Sequence, residues 1–193
     1  GSARSRGALV ACIILLSVVV TSAAQTRPVA EEQVRRAALA TYVHGMTRQI
    51  AESEVGDEGL PVLRRLLADP DFPRRDNVVA FLAHLRRAEA TPALLEFLEH
   101  PSASLEQPAE DRALLLAPLA LGHIAKGGDL AALDALLQIT APGSQGGPLA
   151  RAVDSGAYGE ALRDDLVEAA LRGLAVSGAS EAERRLVEIG EER

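Results

Sequence analysis

Four histidines, His44, His84, His100 and His123, are the side chains best suited to acid–base or metal chemistry near neutral pH. None forms the His-Glu-x-x-His pair that a helical zinc protease needs. His84 and His123 stand out because the 39 residues between them match the spacing of Ala93 and Ala132. Equivalent positions on stacked helices lie about 8 to 10 Å apart, so the two rings are expected to face each other. With a neighbouring acid they would make part of a metal- or proton-binding site. A zinc centre needs three or four convergent ligands and the sequence offers two. The primary reading is therefore a pair of half-covered polar positions with no metal. The alternative is a metal-dependent or ligand-modifying enzyme centred on His84 and His123.

Other reactive groups fail on context. Ser155, in "DSGAYG", lacks the Gly-x-Ser-x-Gly frame of a nucleophile elbow. The glycines of "PGSQGGP" match neither a P-loop nor a dinucleotide fingerprint and read as a flexible connection. Lys126, the single lysine, sits beside two glycines and reads as a solvated helix end. The acid pairs Glu31–Glu32 and Asp164–Asp165 diverge by about 100° on a helix, so neither pair can act on one bond. No catalytic residue, cofactor site or metal site is assigned, and the chain is expected not to be an enzyme.

These positions need elements to hold them, and the chain writes one such element twice. "LPVLRRLLADP" from Leu60 recurs as "TPALLEFLEHP" from Thr91, a step of 31 residues between Pro61 and Pro92. Ala93 to Ala132 continues the series at 39 and Ala132 to Ala182 at 50. A longer apolar segment precedes each later copy: "NVVAFLAHLRR", "RALLLAPLALGHIAK" and "DDLVEAALRGLAVSG". Apolar residues recur at three and four, as at Val78, Leu82 and Leu85, which selects helix over strand. Thr91–Pro92, Asp129, and Ser180 with Glu183 as a capping box read as helix starts. Gly127, Gly128 and Gly178 read as stops, and Pro118 predicts a kink inside an otherwise apolar helix.

Helix pairs of about 30 to 50 residues are the mark of an α-solenoid, whose units cannot bury their apolar faces alone. The expected fold is all-α, a right-handed α-solenoid of about four helix pairs over 57–193. Residues 25–56 would supply an N-terminal capping helix and a first repeat helix from about Thr47 to Val55. The paired helices, Pro118 and the unit "ALGHIAKGGDLAALDALL" resemble HEAT repeats, particularly their bacterial short form, over roughly Asp57 to Glu188. Such units are related to the lyase-type HEAT repeats of bilin-attaching proteins, but a shared scaffold implies no shared activity. The fifty-residue step departs from the family and marks an insertion at 141–159, with Tyr158 in it.

In HEAT-like proteins the second helix of each pair usually lines the concave face. There the register aligns Arg65 with Glu96, Ala135 and Arg185, and Ala68 with Glu99, Gln138 and Glu188. A polyanion groove should carry one sign, and these series mix signs, so the five arginine doublets read as a solvated face. The resemblance thus implies a protein-binding scaffold, with Arg65, Glu96, Glu99, Gln138, Arg185 and Tyr158 as candidate partner contacts.

The first residues have the layout of a secretory signal peptide: Arg4 and Arg6, an apolar run from Ala8 to Val20, then small residues. Cleavage is expected before Gln25, placing the protein in the periplasm or outside the cell. An uncleaved anchor, or acylation of Cys12 in the lipobox-like "LVAC", are the alternatives. Loss of 24 of the 193 residues leaves 169, enough for one domain. It also leaves 18 of the 20 basic residues against 27 acids, a net charge of −9. Acidic charge and 3% aromatic content argue against nucleic acid as a partner. A monomer is expected, binding a basic or neutral protein. An accessory domain of a larger exported protein is a further alternative.

Overall fold

The computed structural model describes residues 31–100, 108–141, 147–149 and 160–191. The leader with Cys12, Ser155, Tyr158 and most of the insertion lie outside these residues. The described residues form nine α-helices and no strand. They are α1 (31–39), α2 (Arg48–Glu54), α3 (Leu60–Ala68), α4 (Arg75–Leu85), α5 (Thr91–Glu99), α6 (Pro108–Ala125), α7 (Leu130–Ile139), α8 (Glu160–Ser177) and α9 (Ser180–Glu191). No helix among the described residues is long and apolar enough to cross a membrane.

The 31-residue recurrence is visible in the backbone. A 3₁₀ turn at Asp57–Gly59 runs into α3, and an equivalent turn at Ala88–Ala90 runs into α5, with both helices nine residues long. Pro61 and Pro92 occupy the first turns, where a proline's missing N–H removes no helical bond. Asp129 caps α7 by accepting from the Ala131 N–H, and its other oxygen accepts from the Thr91 hydroxyl at the start of α5. One carboxylate thus orders two helix starts. Thr47 caps α2 through the Ile50 N–H, within one residue of the expected boundary.

The helices lie in two layers. In one, α2 packs on α4, α4 on α6 and α6 on α8; in the other, α3 packs on α5, α5 on α7 and α7 on α9. A single apolar core runs between them from Val34 on α1 to Ala182 on α9. Phe81, Leu82, Leu114, Leu121, Ile124 and Leu136 are completely covered. Helix α6 is the centre of the first layer, flanked over its length by α4 and α8. It approaches α8 closely where two glycines meet: a Cβ on Gly122 would fall 2.6 Å from the Gly173 Cα, and one on Gly173 would strike the Pro118 carbonyl. Pro118 lies inside α6, as its place in the apolar run suggested.

One local expectation is corrected. The Ser180–Glu183 capping box does not form: the Ser180 hydroxyl donates to Glu181, and the Glu183 N–H bonds the Ala179 carbonyl. Ser177 takes over by accepting from the Ala179 N–H. Within the insertion, Pro148 is buried and Leu149 joins the apolar core.

Candidate functional site

The contact between α4 and α6 and a hollow between α3 and α5 both hold polar groups in or beside the core. The first takes its polarity from both ends of the same helix pair. Asp76 and Arg112 meet at one end and His84 and His123 at the other, so the two helices run parallel.

At the N-terminal end Arg75 and Glu110 are 5% and 6% exposed and stand 2.6 Å apart. The guanidinium of Arg75 also donates to the Leu67 carbonyl and lies over the Phe97 ring at 5.2 Å. Beside it, buried Asp76 accepts from Arg74 at 3.0 Å and from Arg112 at 3.1 Å. Asn77 donates to the Ala38 and Ala40 carbonyls, fixing the end of α1. Burial raises the Glu110 carboxyl above its ordinary value, and the Arg75 charge opposes that rise. The doublet Arg74–Arg75 is therefore no solvated face. Its second member is a core charge, because α6 brings a carboxylate to it from 35 residues away.

At the C-terminal end the rings of His84 and His123 lie 6.0 Å apart at 35°. The spacing of 39 residues does bring them together. Both are held below the ordinary 6.5, first by burial and then by the Arg86 charge. His84 and Lys126 add to the depression at His123, while the Met46 backbone hydrogen bond opposes it at His84. Arg86 follows the last turn of α4 as its left-handed cap, φ 55°, with its carbonyl facing Gly127 at the end of α6. No third His, Cys, Asp or Glu among the described residues completes a metal-binding group. A guanidinium beside both rings also disfavours a cation there.

The hollow between α3 and α5 has a volume of about 510 Å³. Pro61, Pro92 and Phe97 form its apolar walls, with Arg64, Arg65, Glu96 and His100 around them. The hollow thus gathers two of the candidate contacts, Arg65 and Glu96. Arg65 is bonded at 2.9 Å to Glu31 of α1, while both remain more than half exposed. The other candidates are placed elsewhere. Gln138 is exposed and donates to Asp134. Arg185 is largely covered, bonding the Thr140 carbonyl and Glu188, so it ties α9 to the end of α7. Glu99 is half-buried on α5. Sequence reasoning missed Arg75 and Glu110, whose types give no sign of burial.

A scan against protein-family models, a search of the curated proteins and a search of the solved structures each found no match.

Proposed function

We propose that this protein is an exported, non-catalytic scaffold that binds another protein through the layer of α3, α5 and α7. Its four helix pairs are read as a HEAT-like, right-handed α-solenoid with α1 as the cap. The solenoid reading is supported by the serial packing of each layer and by the 31-residue recurrence of turn and helix. The binding reading rests on one observation, the hollow between α3 and α5. It offers a proline and phenylalanine lining with exposed polar groups of both signs, the mixture found at protein-binding surfaces. Export rests on the leader pattern alone.

A photo-crosslinking residue at Glu96 in the hollow, and another at Arg172 on α8 of the other layer, outside the hollow, test the proposal in native envelope material. Crosslinks to a defined protein from position 96 and not from 172 are expected. With that protein purified, Arg65→Glu and Glu96→Arg should each weaken binding by about tenfold, or 1.4 kcal/mol. Unchanged affinity in both variants would remove the hollow from the interface.

A further inference from the structure

We propose that His84 and His123, with Arg86 and Lys126, form an acid-sensitive joint between α4 and α6 that holds while the rings are neutral and loosens when they are protonated. The geometry carries it. Two half-covered imidazoles at 6.0 Å come from the two helices at the centre of the first layer. The charged groups acting on them are Arg86 from the cap of α4 and Lys126 from the end of α6, both cationic. From the side of α2 the contribution is the Met46 backbone, and among the described residues no carboxylate enters at either ring. The Nδ1 of His123 and the Nε of Arg86 are buried without a hydrogen-bond partner among the described residues. A neutral imidazole leaves Nδ1 as an unpaired acceptor, whereas an imidazolium must bury an unpaired donor and a charge.

The sign follows from linkage. Both folded values lie below 6.5, so the unfolded chain binds these protons more readily than the folded one. Stability from the pair is complete above pH 6.5 and is withdrawn as pH falls from 6.5 through the lowered folded values. Each unit of depression multiplies the unfolding constant about tenfold at the acid limit. Protonation of one ring further disfavours the other, so the two titrations are coupled.

The test uses the full chain. Denaturant unfolding from pH 7.5 to 5.0 should show a midpoint that falls on acidification. The double variant His84→Asn/His123→Gln should flatten that dependence, and His44→Gln/His100→Gln should retain it. NMR titration of the wild-type imidazole Cε1–H signals requires no variant: two resonances titrating below 6.5 are expected. Hydrogen exchange, corrected for the intrinsic pH effect, should rise first in α4 and α6. Rings titrating at or above 6.5, or an unchanged pH dependence in the folded double variant, would overturn the joint.

Discussion

The two ends of the α4–α6 contact solve the same problem in opposite ways. At the N-terminal end charges of both signs are sealed in together, Arg75 with Glu110, and Asp76 with Arg74 and Arg112. At the C-terminal end the groups that meet among the described residues are all bases. A permanent cation at position 84 or 123 would face Arg86 with no answering acid among the described residues. Histidine is tolerated because it can discharge near neutral pH, at the cost of sensitivity to acid. Complementary charge makes one end of the contact permanent, and removable charge makes the other conditional.

Removing a partner from the permanent end should have the largest effect. Glu110→Ala leaves the Arg75 guanidinium buried without its carboxylate and is expected to cost about 3 to 5 kcal/mol in denaturant unfolding at pH 7. Arg75→Met combined with Glu110→Leu should recover most of that loss, since a well-packed apolar pair can replace a buried ion pair. A double variant as unstable as Glu110→Ala would show that this end depends on the charges rather than on the volume. The pH response of Glu110 runs against that of the histidines. Its raised carboxyl pKa means the folded state holds that proton more tightly, so its contribution falls as pH rises from 4.5 through the raised value.

Asp76→Asn should come next. The carboxylate is buried and serves two arginines, but Arg112 is more than half exposed and keeps much of its hydration. The amide retains an acceptor oxygen, so a loss of about 1.5 kcal/mol is expected, within the range for hydrogen bonds to charged groups. Part of it should reflect the lost acid in the first turn of α4. Thermal unfolding at low and high salt checks the assignment, because the difference from wild type should shrink as salt screens the partly exposed arginines.

The contrast between the ends also marks where sequence reasoning succeeds. Helices α3 and α5 could be placed because proline, apolar spacing and turn residues are local signals, and they recur at 31 residues. His84 and His123 could be paired because the 39-residue step from Ala93 to Ala132 carries a position from one helix to the next. Arg75 could not be singled out from four other arginine doublets. Its burial depends on Glu110, Leu67 and Phe97 arriving from three other helices. The approach of Gly122 to Gly173 is hidden for the same reason: a helical glycine gives no local sign of what lies beside it. The alignment of Arg185 with Arg65 was readable, but not that a terminal helix would turn this side chain toward the Thr140 carbonyl.

The smallest expected effect is the one that best separates the causes at the conditional end. Arg86→Asn removes the charge that, after burial, does most to depress both rings, and leaves their burial in place. Asparagine also suits the left-handed backbone at this cap, so little strain is added. The acid-induced loss of stability between pH 7.5 and 5.0 should shrink by about 0.5 kcal/mol, since solvent screens charges at these half-covered positions. It should not vanish, because burial is the larger cause. Both imidazole resonances should move upward together while remaining below 6.5. A complete loss of the pH dependence in Arg86→Asn would shift the origin of the joint from desolvation to the guanidinium. Movement of only one resonance would show that Arg86 acts on a single ring, leaving the second to respond to Lys126 and to its neighbour.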